Sequence, residues 1–121
     1  MWRSNKSARS WPDKFRDAFR GLANGVRGQS SFFAHFFIAL LVVVAGVILR
    51  VERTEWCLLG LCIAVVLAAE MFNTALERIA RAITDQVDPH IAEALDMSSA
   101  AVLITAIGSA VVGSIVLLSR L

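Results

Sequence analysis

The 121-residue sequence is long enough for one domain and too apolar for an ordinary soluble domain. Apolar residue types make up 57% of the chain and charged residues only 18%, whereas about 25% of the residues in a typical soluble domain are charged. The composition therefore excludes an ordinary soluble domain and favours a membrane protein. A formal net charge of +2 gives no reason to expect a nucleic-acid partner.

Residues 10–28 are predicted to form an amphipathic helix on the membrane surface. Ser10 and Asp13 fit a capping box, with Pro12 in the first turn. Apolar side chains then recur at helical spacing while most cations fall on other faces, as is typical of a helix at the level of the lipid headgroups. The recurring apolar residues are Phe15, Phe19, Leu22 and Val26. Such a helix anchors the chain, and it can also close one side of a site at the membrane surface.

Three apolar runs are predicted to cross the membrane, at about residues 31–49, 56–77 and 96–118. A helix needs about 20 mainly apolar residues to cross the hydrocarbon core. Seven Lys or Arg residues but only two Asp residues precede the first span, so the positive-inside rule places the N-terminus in the cytoplasm. The sequence thus predicts a single-domain, all-α membrane protein in which a surface helix precedes a bundle of three transmembrane helices.

The last span is predicted to begin with a capped helix end and to continue as a packing surface. Asp88 can cap this helix, with Pro89 at its first position. Further along, small residues recur every four positions, which lets membrane helices approach closely. These residues, interpreted as packing residues and not as ligands, are Thr105, Ser109 and Gly113.

Polar side chains enter the second predicted span after fourteen residues without charge. On a helix of 3.6 residues per turn, Glu70, Asn73 and Glu77 lie at 0°, about −60° and about −20°, so they form one stripe about 10 Å long. Because a carboxylate is costly in lipid, such residues face a bundle interior, pair with another group or line a site. Asp96 on the next helix is predicted at the same depth, with Ser99 on nearly the same face.

Carboxylates and an amide at one depth suit divalent-metal and phosphate chemistry. Mg²⁺ binds one or two carboxylates while substrate phosphates complete its coordination, and an unpaired carboxylate can accept a proton from a hydroxyl nucleophile. The chain has neither of the familiar phosphate-binding loops, G-x-x-x-x-G-K-[ST] and G-x-G-x-x-G. Because proton-coupled transporters also bury carboxylates, the residues by themselves leave both interpretations open.

Two signatures then become recognisable: E-x-x-N-x-x-x-E at residues 70–77 and D-M-x-S-A-A-V-L-I at residues 96–104. With a [K/R]-G-L element at residues 20–22, the chain resembles the prokaryotic diacylglycerol kinase and undecaprenol kinase family over nearly its whole length. The resemblance implies a small lipid kinase of the prokaryotic inner membrane that works as a homotrimer. It further implies that ATP with Mg²⁺ phosphorylates a lipid hydroxyl at the cytoplasmic interface, in sites shared between subunits.

The resemblance also implies a role for each residue that matches the family's signatures. Glu70 matches the catalytic base that takes the proton from the lipid hydroxyl, and Glu77 matches a metal-binding glutamate at the nucleotide. Asn73 and Asp96 match polar residues that organise the nucleotide phosphates and their metal. Ser99 matches a position in the lipid-facing part of the site.

Three positions depart from the family's pattern. Gln29 stands where a second metal-binding Glu is common, so we expect a weaker metal and nucleotide contact there, because an amide oxygen brings no charge. Leu95 replaces a Lys next to the loop aspartate, and Arg81 replaces an acidic residue. Arg81 could supply the phosphate-binding charge that is lost at Leu95, since both positions flank the same loop.

Alternatives to an active lipid kinase follow from these departures and from the buried carboxylates. One is a catalytically inactive membrane subunit of the same fold, and another is a small proton-coupled transporter. Retention of Glu70 and Glu77 argues against the first, and three spans instead of four argue against the second. No residue chooses between diacylglycerol and undecaprenol. His35 and His90 have no obvious partner, and His35 is interpreted as a hydrogen-bonded residue between helices and not as a ligand.

Overall fold

The computed structural model describes residues 9–27, 30–83, 85–86 and 88–121, and at residues 30 and 31 it describes the backbone only. The helices in chain order are α1 (Trp11–Val26), α2 (Ser30–Leu49), α3 (Arg53–Ile83) and α4 (Pro89–Leu118). Three segments are long and apolar enough to cross a membrane: Phe32–Leu49, Arg53–Ile83 and Pro89–Leu118. The predicted all-α fold, with one N-terminal helix and three spans, is confirmed.

Both predicted helix caps are present. At the start of α1 the hydroxyl of Ser10 accepts a hydrogen bond from the backbone N–H of Asp13 at 3.3 Å. At the start of α4 the Asp88 carboxylate accepts from the backbone N–H groups of His90 and Ile91, at 2.8 and 3.2 Å. Each cap satisfies N–H groups that have no partner inside their helix, so each helix begins at a defined residue.

Helices α3 and α4 both extend beyond the spans predicted from apolarity. The second predicted span ends near residue 77, but α3 continues to Ile83. Helix α4 begins at Pro89, as the predicted Asp88 cap requires, and so it starts before the span that was predicted from residue 96. No Gly or Pro occurs between Glu77 and Ile83, so nothing in the sequence ends the helix earlier. A helix of 31 residues is about 46 Å long, which exceeds the roughly 30 Å hydrocarbon core. The residues outside the predicted spans, 78–83 and 89–95, lie at the end where residues 84–88 join the two helices, so we expect both helices to project beyond the lipid there. We call this end the joined end.

The pairing of α3 with α4 is the most extensive helix contact in the described chain. Ser98 donates to the side-chain oxygen of Asn73 at 2.7 Å, and Ser109 donates to the backbone oxygen of Cys62 at 3.3 Å. The two contacts are separated by the same number of residues on each helix, so the helices are antiparallel with a constant register. Gly113, one turn further along, faces Leu59. The predicted packing role of the small-residue stripe is therefore confirmed for Ser109 and Gly113.

The end of the bundle opposite the joined end is closed by a small core and an ion-pair cluster. Val51, Leu59 and Val116 are buried together. Arg120, just beyond α4, donates from Nε to a carboxylate oxygen of Glu55 at 2.9 Å and lies 3.3 Å from Glu52. The Glu55 contact, with a smaller contribution from Glu52, raises the pKa of Arg120. The C-terminus of the chain is thereby tied to the turn between α2 and α3.

That turn depends on one residue in the left-handed region and one close helix approach. Arg50 has φ of 57°, which ends α2, and the N–H of Val51 bonds back to the carbonyl of Gly46 at 3.2 Å. Gly46 itself lies directly beneath the ring of Trp56 in α3, where an added Cβ would meet the ring atom Cη2 at 2.7 Å. Glycine at this position allows the ring to pack on the α2 backbone.

Substituting Gly46 by Ala is expected to destabilise the chain. The new methyl group must displace a large, rigid ring, and overpacking of this kind costs about 1–3 kcal/mol. Gly60→Ala is the matched control, because a Cβ at Gly60 meets nothing within 4 Å in the described chain, and a glycine-to-alanine change in a helix interior favours the helix by up to about 1 kcal/mol. Thermal unfolding of both variants in the same detergent tests this, and equal midpoints would contradict the packing described here.

Candidate active site

The polar stripe on α3 forms one side of the candidate site. Glu70 is buried, with 5% of its surface exposed, and Asn73 and Glu77 are half-buried. All three belong to the single uninterrupted helix α3, so their predicted common face is retained. Burial decreases from Glu70 towards Glu77, in the direction of the joined end. The stripe therefore leads from the apolar part of the bundle towards its polar end.

Glu70 is paired with His35 across the α2–α3 interface. The Nε2 atom of His35 lies 3.3 Å from the Oε2 atom of Glu70, and their side chains are 20% and 7% exposed. A carboxylate placed among apolar side chains needs such a partner, because its desolvation is costly. This partner of His35 is not visible in the sequence, because residues in two different helices share no periodicity that would reveal their contact.

Asn73 is held by Ser98 on α4, a residue that the sequence analysis did not single out. Ser98 is buried, and its hydroxyl donates to the carbonyl oxygen of the Asn73 side chain. This bond uses the oxygen of the amide, so the amide N–H₂ group of Asn73 is oriented to donate to another acceptor. A phosphate oxygen is one such acceptor. The only sequence signal for Ser98 was its place between Asp96 and Ser99 in the second signature.

The register of α3 and α4 fixes the depth of Asp96. Because Ser98 faces Asn73 on antiparallel helices, Asp96 lies near the level of Ala75, between Glu70 and Glu77. The predicted depth is therefore reached, although the side chain of Asp96 is exposed in the single chain. Ser99 and Arg81 are exposed as well, and Leu95 is half-buried. Gln29 lies outside the described residues.

A metal site made by one chain alone is not present in the part of the molecule that the structure describes. Among residues 9–27, 30–83, 85–86 and 88–121, no three His, Cys, Asp or Glu side chains come close enough to hold an ion. Mg²⁺ needs only one or two carboxylates when substrate phosphates supply its other ligands. The half-buried carboxylate of Glu77, near the joined end, fits that requirement.

An apolar cavity of about 450 Å³ lies between the three spans. Its lining is mainly aliphatic and small, with contributions from α2, α3 and α4, and His35 is the lining residue that contacts Glu70. Leu67, one turn before Glu70 in α3, belongs to the same end of the cavity. The buried carboxylate therefore lies next to one end of an apolar cavity, in contact with the lining residue His35.

The C-terminal half of α1 is fixed beside the stripe. Gly25 is buried against Met71, which follows Glu70 directly in α3. Arg78 donates from Nη2 to the backbone oxygen of Asn24 at 2.8 Å, so it satisfies a carbonyl near the end of α1. The N-terminal part of α1 keeps an apolar face exposed, with Trp11, Phe15 and Phe19 at 61% to 70% exposure; this fits a helix on a membrane surface.

The family model of the prokaryotic diacylglycerol kinases matches residues 16–117, which includes most of α1 and nearly all of the three spans. The chain belongs to this family. It is thus a membrane lipid kinase, and the transporter alternative loses its support. Kinases of this kind use ATP and generally a divalent metal. The carboxylates near the joined end are groups that such a metal can bind.

Two named relatives are similar to this kinase along most of its chain. An undecaprenol kinase of Bacillus subtilis (strain 168) is 30% identical over 107 residues, which make up 88% of this chain and 87% of that protein. A diacylglycerol kinase of Synechocystis sp. is 32% identical over 108 residues, which make up 88% of this chain and 62% of that protein. The two names differ in the lipid, so similarity by itself favours neither substrate.

The hydroxyl of Thr74 is buried without a hydrogen-bond partner in the described chain. Thr74→Val keeps the shape and removes the unpaired hydroxyl, so we expect the free energy of unfolding to stay constant or to rise by about 1 kcal/mol. Thr105→Val is the matched control, because it removes a hydroxyl that donates to the backbone oxygen of Val102 at 2.9 Å. That change should lower stability by about 0.5–1.5 kcal/mol. Thermal unfolding in detergent compares the two, and a larger loss at Thr74 would contradict the assignment of an unpaired hydroxyl.

Proposed function

We propose that the chain transfers the γ-phosphate of ATP, with Mg²⁺, to the hydroxyl of a membrane lipid, either diacylglycerol or undecaprenol. The observation that carries this proposal is a nearly buried carboxylate, Glu70, at the end of an apolar cavity and at the start of a polar stripe. A lipid alcohol needs both environments at once, because its chains are apolar and its hydroxyl must meet the phosphate donor. Membership of the lipid kinase family supports the same reaction class.

Glu70 is proposed as the catalytic base. During transfer the lipid hydroxyl loses its proton as its oxygen bonds to the γ-phosphorus, and a carboxylate within hydrogen-bond reach can accept that proton. Its burial excludes water, which would otherwise compete with the lipid hydroxyl for the phosphate. Ser99, which follows the Asn73-bound Ser98 on α4, is proposed to line the path of the lipid.

The phosphate end of the site is proposed to lie towards the joined end. Asn73 has its N–H₂ group oriented by Ser98, and Glu77 and Asp96 lie at neighbouring depths on α3 and α4. Mg²⁺, held by Glu77 and in part by Gln29, would neutralise the charge on the phosphates. Arg81, exposed in the last turn of α3, is proposed to contribute positive charge to the nucleotide.

The proposed setting is the cytoplasmic face of the prokaryotic inner membrane, with the N-terminus in the cytoplasm. The cations around α1 and the exposed apolar side chains of that helix support this placement. A homotrimer is proposed as the working unit. The single chain supports association because its described part buries few apolar side chains and exposes large ones on all three spans. A neighbouring subunit could then cover the exposed carboxylate of Asp96.

Phosphate transfer from radiolabelled ATP to each lipid, offered separately in mixed micelles, tests the proposed function. Glu70→Gln is expected to lower kcat by about 10²–10⁴-fold, because the amide cannot accept the proton. Glu77→Gln is expected to raise the Mg²⁺ concentration needed for half-maximal rate, because a carboxylate ligand is lost. Removing divalent metal with a chelator should stop the reaction in the wild-type chain.

Glu52→Gln is the matched control for both substitutions. Glu52 lies at the opposite end of the bundle and its side chain is 74% exposed, so its change to Gln should leave the rate as it is. The lipid that becomes labelled identifies the substrate. A folded wild-type protein that labels neither lipid would contradict the proposed reaction, and a fully active Glu70→Gln variant would contradict the assignment of the base.

A further inference from the structure

His35 is an isolated ionisable side chain in a strongly apolar helix. Within the described part of α2, which runs S-S-F-F-A-H-F-F-I-A-L-L-V-V-V-A-G-V-I-L, no other residue can carry a charge. Placing a polar imidazole in a membrane-spanning helix costs free energy, and a specific polar contact is needed to offset that cost. The structure gives that contact: Nε2 of His35 meets Oε2 of Glu70 at 3.3 Å.

The contact with His35 engages the Oε2 atom of the Glu70 carboxylate. The Nε2 atom of His35 lies 3.3 Å from Oε2, and a ring nitrogen this close restricts the positions that the carboxylate can take. A base must be held close to one geometry to take a proton efficiently, because a small displacement costs a large factor in rate. The low exposure of both side chains, 20% and 7%, keeps water from replacing the contact.

We propose that His35 is a positioning residue for Glu70, through which α2 contributes to the reaction without touching the phosphate. The inference rests on the proposed role of Glu70 as the base. In the transfer step the O–H bond of the lipid breaks, its oxygen bonds to phosphorus, the bond to the ADP oxygen breaks and the proton moves to Glu70. His35 takes no part in that exchange of bonds. It holds the acceptor in place and borders the apolar cavity from which the lipid hydroxyl would approach.

The test compares His35→Leu with His35→Gln in the purified full chain. Leu removes the donor, and we expect kcat to fall by about 10–100-fold while the KM for ATP changes less than about twofold, because Glu70 is misplaced and the nucleotide contacts remain. The Gln side chain can still donate to Glu70, so we expect it to recover at least half of the lost activity on a logarithmic scale. His90→Leu is the matched control, because His90 is exposed at the start of α4.

A double-variant cycle separates a positioning role from a merely structural one. If His35 acts through Glu70, His35→Leu should cause no further loss of the residual rate in the Glu70→Gln background. If the double variant loses the product of the two single-variant rate losses, the inference is overturned. An unchanged kcat in His35→Leu would also overturn it. Equal losses in the Leu and Gln variants, with both folded, would also overturn it, because donation to Glu70 would then not matter. Should the Leu variant fail to fold, the Gln variant and its cycle with Glu70→Gln decide the question.

An NMR measurement tests the contact independently of turnover. The imidazole ¹⁵N resonances of His35 should shift in Glu70→Gln and stay unchanged in Glu77→Gln, because Glu70 and not Glu77 contacts the ring. This result would stand even if neither lipid were phosphorylated, so failure of the proposed function and failure of the positioning role are distinguishable. His35 resonances that do not respond to Glu70→Gln would overturn the inference.

Discussion

A carboxylate that is almost fully buried in a membrane-spanning helix needs a neighbour, and the arrangement around Glu70 meets that need. The desolvation of an ionised carboxylate is offset only by a close polar partner, and α2 supplies one in His35 at 3.3 Å. Helices α2 and α3 are thereby held together at this depth by a polar contact as well as by apolar packing. Because lipid is as apolar as the side chains of the bundle, such polar contacts are what make one packing arrangement preferable to another.

The polar contacts between α3 and α4 act in the same way along the length of the bundle. Ser98 with Asn73, and Ser109 with the Cys62 backbone, fix a single antiparallel register. A shift of one turn along either helix would separate both pairs and leave polar groups unpaired in an apolar environment. The register in turn places Asp96 between the levels of the two glutamates. The residues proposed for catalysis and the residues that hold the helices together are therefore neighbours on the same helix faces.

The site achieves its polar character without a phosphate-binding loop, which the chain does not contain. Instead, the exposure of the polar side chains increases along α3, from the buried Glu70 to the half-buried Glu77 and the exposed residues near the end of the helix. Helix α1, fixed to α3 through Gly25 and Arg78, runs beside this stretch with its apolar side chains exposed for the membrane surface. In the proposed reaction, this gradient lets the lipid alcohol stay among apolar side chains while the nucleotide binds from water.

The sequence by itself determined the helices, the caps at Ser10 and Asp88, the common face of the stripe and the family, because these depend on composition, local spacing or signatures within one segment. Only the tertiary structure decided which residues meet across helices: His35 with Glu70, Ser98 with Asn73 and the close approach of Trp56 to Gly46. It also showed that α3 continues to Ile83, since apolarity locates the lipid-embedded part of a helix and not its end. Contacts between helices depend on register and rotation, which are set by packing of the whole bundle and leave no periodic signal in any single helix.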